Sequence, residues 1–278
     1  MPELPEVETI RRDLDREFVG KRIKKVEVIG SRSVRRHPDP AQFVARVEGR
    51  KLEGTIRKGK YLLLKLDGDD VVIVHLGMSG QLLRGDANAA VVKHTHVIFS
   101  FGTGAQLRFV DPRTFGEIFV TSSAKLDEAI PELAHLGFDP LEEQMAWTRF
   151  ANMLTSRQAK LKPLMMDQRF IAGIGNVYAD EILFAAGLRP DRPSDKLTNQ
   201  EIRRLYRAMV ETLQDAVKHR GSSLADEQYR DLFGEVGAFQ GLHNVYDREG
   251  LACPRCRNVI VRLRAGGRST FLCPQCQV

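Results

Sequence analysis

Four cysteines constrain this chain more than any other feature. They stand as Cys253-Pro254-Arg255-Cys256 and Cys273-Pro274-Gln275-Cys276, with sixteen residues between the pairs. Two CxxC pairs at that separation match four-Cys zinc sites, in which two knuckles present thiolates to one tetrahedral ion. Two disulfides or a redox CxxC are the alternatives. The spacing favours zinc, because no secretory signal implies an oxidising compartment and a redox motif does not need two matched pairs. From Gly250 to Val278 there are five arginines and no acid, a bias that suggests a phosphate-binding hairpin.

A chain of 278 residues has room for two domains, and 42% hydrophobic content can supply their cores. No apolar run approaches the roughly 18 residues of a membrane span. The net charge is +6 with a pI near 9.2, which favours polyanionic partners. Residues 20–65 hold fourteen Lys/Arg against four Asp/Glu. Val7, Ile10, Leu14 and Phe18 recur at helical spacing, with Gly20 as a stop. Six β-rich runs follow, at 22–29, 60–66, 71–76, 96–101, 106–110 and 117–120, punctuated by Gly and Asp. From Trp147 to about His219 the pattern is helical, broken at Asp167–Gly175 by two glycines. The expected fold class is α+β: an N-terminal β-sandwich with flanking helices over 1–122, a connector over 123–147, a helix-two-turn-helix region over 148–240 and a zinc finger over 241–278.

At the other end, the chain opens Met1-Pro2-Glu3-Leu4-Pro5-Glu6. Removal of Met1 leaves Pro2 as a free secondary amine. An α-amino group titrates near neutrality, so much of it is nucleophilic at about pH 7–8, and amines of this kind attack electrophilic carbons to form Schiff bases. A fixed-φ start to the first helix is the other reading, with acids in its first turn. Pro5 already fills that role.

Both ends, with several motifs between them, resemble the bacterial formamidopyrimidine-DNA glycosylases. The markers are MPELPEVET at 1–9, KGKYLLL at 58–64, HLGMSG at 75–80, DPRTFG at 111–116, IAGIGNVYADE at 171–181, VYDREG at 245–250 and the finger ending CPQCQ. The resemblance runs the full length. It implies a β-sandwich, a helix-two-turn-helix domain with a zinc finger, and a DNA cleft between them. The implied reaction is attack of Pro2 on the sugar C1′ of a damaged nucleotide in double-stranded DNA, displacement of the base, and elimination of both flanking phosphates from the resulting iminium. Glu3 is then the acid at the sugar ring oxygen and Glu6 its support.

By motif position Lys60 contacts the lesion phosphate, and His75 lies near a phosphate. Met78, Arg113 and Phe115 fill the void left by the extruded base, as apolar wedges on loop tips can. Asn176 is read from sequence as the N-cap of a helix, and the resemblance adds phosphate binding there. Arg268 and Tyr246 are implied backbone contacts, and residues 220–239 the loop covering the flipped base. The ligands Cys253, Cys256, Cys273 and Cys276 hold one structural Zn2+. Two positions depart from the family pattern: Thr114, where many relatives carry arginine, and Arg257, where glycine is usual. Leu4 favours the oxidised-purine branch over the endonuclease VIII-like branch, which has glycine there. A non-catalytic DNA-binding relative is the third reading, but it should have lost Pro2, Glu3 or Lys60. The chain is expected to act as a monomer, in the cytoplasm, on DNA and away from membranes.

Overall fold

The computed structural model describes residues 1–102, 104–143, 145–225, 228–265 and 267–278. The chain divides into two compact units. One comprises Met1–His135 and His219–Ala238, the other Leu136–Lys218 and Phe239–Val278.

The first unit begins with α1 (Leu4–Phe18). Strand β1 (Ile23–Val28) and helix α2 (Pro40–Val47) follow, the latter opened by the Asp39 side chain accepting from the Ala41 amide at 2.8 Å. Seven further strands complete the unit: β2 (Leu52–Lys58), β3 (Tyr61–Leu66), β4 (Asp70–His75), β5 (Gln81–Asp86), β6 (Thr95–Phe101), β7 (Ala105–Val110) and β8 (Glu117–Ser122). Two one-turn helices, α3 (Leu126–Ala129) and α4 (Pro131–Ala134), close it. The strands form two antiparallel sheets, ordered β1-β6-β7-β5 and β2-β3-β4-β8. Alternate residues share a face of a strand. Leu62, Leu64, Val72, Val74, Ile118 and Val120 of one sheet meet Val97, Phe99, Leu107 and Phe109 of the other in a single core, together with Val7, Ile10, Leu14 and Phe18 of α1. This is a β-sandwich with a helix laid along it.

Two strands, helix α2 and the one-turn helices α3 and α4, which lie in the expected connector, are not legible in the sequence pattern. Strand β2 carries a register shift between Leu52 and Gly54 and a buried arginine, Arg57, so its hydrophobic alternation is broken. Of β5 only Leu82 is fully buried. Helix α2 is two turns long and is signalled by no more than Asp39-Pro40 and the i,i+4 pair Phe43 and Val47.

Residues 219–238 also depart from the order of the sequence, for they pack with the sandwich rather than with the helices on either side of them. Tyr229 and Leu232 enter its core. The Leu232 carbonyl accepts from the Arg84 amide at 2.7 Å, and the Gln228 carbonyl from Gln81 Nε2 at 2.7 Å. Thus the segment satisfies polar groups of β5, an edge strand that is otherwise a site for unwanted pairing.

The second unit is built from α5 (Trp147–Thr155), α6 (Leu161–Met166), α7 (Asn176–Ala186), α8 (Asn199–Lys218) and the hairpin of β9 (Val261–Ala265) with β10 (Arg268–Leu272). Between α6 and α7 the two turns are organised by Gln168. Its Nε2 donates to the carbonyls of Met166 (2.9 Å) and Ile174 (2.8 Å), and its Oε1 accepts from the Gly173 amide at 2.8 Å. This is the helix, two turns, helix arrangement. No helix of the described residues is long and apolar enough to cross a membrane.

Candidate active site and nucleic-acid interface

Pro2 lies immediately before α1, buried, behind a Met1 that is 53% exposed. Glu3 is the N-cap. Its side chain accepts from the Glu6 amide, and Glu6 Oε2 accepts from the Glu3 amide at 2.8 Å, a reciprocal capping box made from two carboxylates. The second oxygen of Glu6 accepts from the Ser222 amide at 2.8 Å. Glu6 thereby joins the start of α1 to residues 221–222 of the returning segment. The approach is close: Gly221 has φ +77°, and a Cβ there would come within 2.6 Å of Glu6 Oε1.

Lys60 sits in the two-residue turn between β2 and β3, half-buried rather than within the strand. The turn is tied to α1 by a residue the sequence reading passed over. Arg57 is fully buried. Its Nε lies 3.1 Å from Glu8 Oε2, and its Nη1 donates to the Gly59 carbonyl at 3.3 Å. Burial raises the Glu8 pKa, but hydrogen bonds from Arg11 and Arg12 and the charges of Arg11 and Arg57 outweigh it and hold the carboxyl below its usual value. The ionised pair fixes the Lys60 turn relative to the second turn of α1. His75 ends β4, opposite Tyr61 and Glu117, with its ring 4.7 Å from that of Tyr61. Burial lowers its pKa. Glu117 opposes the shift, and Lys60, Arg35 and Arg36 add to it. His75 is therefore a neutral imidazole at neutral pH, beside three cations.

Met78, Arg113 and Phe115 come together through their backbones. Gly77 has φ +61°, and a Cβ there would lie 2.7 Å from the Gly116 nitrogen. Only glycine lets the two loops meet. Asp111, fully buried, holds both. Its Oδ1 accepts from Ser79 Oγ (2.6 Å) and the Arg113 amide (3.2 Å), and its Oδ2 from the Gly116 amide (2.7 Å). The result is a double loop presenting large side chains to solvent, with Met78 43% and Phe115 48% exposed and the Arg113 guanidinium 4.9 Å from the Phe115 ring centre. Thr114 stands at φ +56°, a left-handed conformation that is unusual for a β-branched residue.

In the second unit, Asn176 is the first residue of α7 and Gly175 the N-cap, which corrects the expected capping role. Asn176 Oδ1 is buried without a hydrogen-bond partner among the described residues. Downstream in the same motif, two acids hold the other phosphate-binding candidates. Asp180 pairs with Lys162 Nζ at 2.8 Å and accepts from the Phe271 amide at 2.9 Å, and Lys162 donates to the Ser269 carbonyl (3.0 Å) and Thr270 Oγ1 (2.9 Å). Burial pushes Asp180 up to about 7 against the pull of Lys162. This cluster joins α6 and α7 to β10, whose first residue is the exposed Arg268. Glu181 accepts from the amides of Asn244, Val245 and Tyr246 at 2.8–2.9 Å. Tyr246 is thus anchored through its backbone, its ring edge-on to Phe271 at 5.2 Å. Gly266 of the expected hairpin turn, and 226–227 of the expected covering loop, lie outside the described residues.

The four cysteine sulfurs lie within 4.8 Å of one another. Cys253 and Cys276 are 3.8 Å apart and Cys256 and Cys273 3.4 Å, far beyond a disulfide bond. A tetrahedral zinc with Zn–S bonds near 2.3 Å separates its sulfurs by about 3.8 Å, so the cluster fits that ion. Burial and the neighbouring sulfurs push Cys276 up to about 12, which a divalent cation would reverse. Arg257 adopts φ +64°, so the knuckle keeps the left-handed turn without the usual glycine. Gln277 locks the finger to the end of α7, accepting from the Cys273 amide and donating to the Leu188 carbonyl, both at 2.9 Å.

Arg57, Asp111, Lys162, Asp180 and Glu181 escaped the sequence reading. Three of them stand inside quoted motifs, and an acid pair at the centre of the apolar helix NVYADEILFAA was the one usable signal.

A sandwich headed by a proline and two carboxylates, joined in one chain to a helix-two-turn-helix unit with a four-Cys finger, is the framework of a DNA-lesion enzyme class. The chain belongs to the formamidopyrimidine-DNA glycosylase family. Residues 1–118 match the family's N-terminal domain, 136–228 its H2TH domain and 250–278 the zinc finger found in FPG and IleRS. The formamidopyrimidine-DNA glycosylase of Pelotomaculum thermopropionicum is 42% identical over 277 residues, covering 100% of this chain and 99% of that protein. The crystal structure of the MutM (Fpg) protein of Thermus thermophilus superposes with a TM-score of 0.87 at 41% identity, covering 99% and 98% of the two chains. The Lactococcus lactis Fpg in complex with abasic-site DNA gives 0.89 at 33% identity, covering 99% of each.

Proposed function

We propose that this chain is a bifunctional DNA glycosylase and abasic-site lyase that removes oxidised purines, formamidopyrimidines and 8-oxoguanine, from duplex DNA. The observation that carries the reading is the start of α1: Pro2 precedes two buried carboxylates locked in a capping box, in a chain that belongs to this family. With Met1 removed, the Pro2 amine sits at the positive end of α1, which disfavours its protonation. The amine attacks C1′ and the base departs. Glu3 protonates the ring oxygen as the sugar opens, giving an iminium. That cation acidifies the neighbouring sugar protons, and both phosphates leave by successive β- and δ-elimination before water releases the amine. Lys60 and neutral His75 receive the lesion phosphate. Asn176, Tyr246 and Arg268 grip the backbone, and Met78, Arg113 and Phe115 fill the gap. Glu6 is a positioning residue, since both its oxygens are engaged by backbone amides. The four thiolates hold one zinc, which is structural and takes no part in the chemistry. The enzyme acts as a monomer on chromosomal DNA in the bacterial cytoplasm, where its substrate is.

Borohydride tests the reading. With an 8-oxoguanine duplex it should reduce the iminium and leave a covalent protein–DNA adduct. Protein acetylated on the Pro2 nitrogen should give none, and undiminished trapping by that protein would overturn the assignment.

Arg113 alone among the void-filling residues has donors in a rigid fork. The orphaned cytosine offers acceptors at O2 and N3, whereas adenine turns an amino donor toward the cation. Wild-type protein should excise 8-oxoguanine faster opposite cytosine than opposite adenine. Arg113→Ala should remove about 1–3 kcal/mol of that discrimination in single-turnover assays, while cleavage of single-stranded abasic sites persists. An unchanged preference would make Arg113 a wedge only.

A further inference from the structure

The second unit carries a concave site that the proposed reaction does not use. A cavity of about 480 Å3 is lined by one face of α8, with Arg203, Arg204, Arg207 and Glu211, by Ala185 in the last turn of α7, and by Arg255 of the first zinc knuckle. Four guanidinium groups face one carboxylate, an excess of positive charge in a concave wall.

Three of the four guanidiniums are already held by neighbours, and Arg207 is 80% exposed in a surface pair with Glu211. Arg255 donates to the carbonyls of Phe184 (2.8 Å) and Ala185 (3.2 Å), and Arg204 Nε to that of Ala186 (3.2 Å). Arg203 lies 4.0 Å over the Trp147 ring, and Arg207 Nε is 3.3 Å from Glu211. A guanidinium has five N–H donors, so none of these contacts exhausts it. For Arg203, Arg204 and Arg255, part of the side-chain entropy that binding usually forfeits is spent beforehand.

The shape selects among anions. Among the described residues no aromatic ring lines the cavity, so it lacks the stacking platform that single-stranded bases use. A duplex backbone is stiff and convex and suits a protruding cation such as Arg268, not a recess. Position separates the cavity from the substrate as well. Asn176 begins α7 and Ala185 lies in its last turn, and nine helical steps put about 14 Å between the two. What fits is a flexible chain whose carboxylates enter one at a time and meet guanidinium forks in bidentate geometry. We propose that this cavity docks an extended, acidic segment of a partner protein, leaving the DNA-binding residues free to hold DNA.

The test uses protein saturated with abasic-site duplex, so that the substrate face is occupied, and a fluorescein-labelled oligoglutamate peptide as probe. Anisotropy should show the peptide binding the complex, more weakly as salt rises. Replacing Arg203 and Arg207 with Ala, which spares the two arginines that cap α7, should weaken the peptide about tenfold or more and leave duplex affinity and abasic-site cleavage unchanged. Glu211→Gln, which removes the one repelling charge, should tighten it, and this variant keeps the test alive if the double variant misfolds. Failure of the peptide to bind the DNA-loaded protein at low salt would overturn the proposal. So would equal binding by all three proteins, or a fall in duplex affinity in the double variant, which would assign the arginines to the DNA path.

Discussion

Glu3→Gln should excise 8-oxoguanine about 10²–10⁴-fold more slowly than the wild type, the usual contribution of a positioned acid or base, yet still cleave a ready-made abasic site. The substitution is well suited to the question, because the capping oxygen survives. A Gln carbonyl can still accept from the Glu6 amide, and the return bond from the Glu3 amide to Glu6 Oε2, 2.8 Å long, involves no atom that changes. Helix α1 should therefore start as before, and melting temperature should barely move. What disappears is the proton for the ring oxygen. A pre-formed abasic sugar is open part of the time, so that substrate bypasses the missing step. Single-turnover rates on the two substrates decide the matter: an equal fall in both would show that Glu3 does something other than open the ring.

The other large effect should come from the finger. Structural zinc in small modules contributes about 10–16 kcal/mol of apparent binding energy that is also folding energy. Cys256→Ser should abolish stoichiometric zinc and loosen the chain from 250 onward. The first casualty is the placement of Arg268, while Tyr246 keeps its backbone anchor on Glu181 and loses only the Phe271 ring against its own. At about 1.5–3 kcal/mol for a hydrogen bond to a charged group, duplex affinity should fall about tenfold to a hundredfold, with a shallower salt dependence. The sandwich contains no cysteine and should keep its own unfolding transition. Among the described residues the hairpin also has polar tethers that do not depend on zinc, the Lys162–Asp180 pair with Thr270 foremost. Adding Lys162→Met to Cys256→Ser should therefore lower the residual affinity further. Duplex affinity equal to wild type in zinc-free protein would contradict this account.

What the sequence disclosed, and what it hid, divides along the range of the interactions. Helix α1 was legible from Val7, Ile10, Leu14 and Phe18, because a helix repeats its buried face within one element. The zinc ligands were legible because metal geometry dictates spacing. Strand β2 was not, since its buried positions include Thr55 and Arg57, and a polar residue does not advertise burial. The charge of Arg57 is matched in the core by Glu8, which reaches it from 49 positions away. The same holds for Asp111, whose buried carboxylate joins two loops, and for Glu181, which grips a turn more than 60 residues downstream. The motifs did contain several of these residues. Their surface neighbours, Met78, Arg113 and Phe115, drew the chemical reading instead. Asn176 shows a finer limit: one residue's shift in a helix start turned the expected cap into the first helical position, leaving its oxygen unpaired among the described residues.

The returning segment 219–238 has a consequence for how the protein is made. Tyr229 and Leu232 belong to the core that α1 begins, and the Arg220 guanidinium meets Asp13 and Asp231 at 2.5 and 2.6 Å. A ribosome emits the first residues of the sandwich early and the last of them only after the helices α5 to α8 have been synthesised. The nascent sandwich must wait, with an uncovered strand edge and a gap in its interior, through the whole of Leu136–Lys218, which belongs to the other unit. Domains that fold as they emerge escape such a delay. This one cannot, so a gene truncated after His135 should yield an aggregating fragment, whereas restoring 219–238 through a short linker should rescue a soluble sandwich.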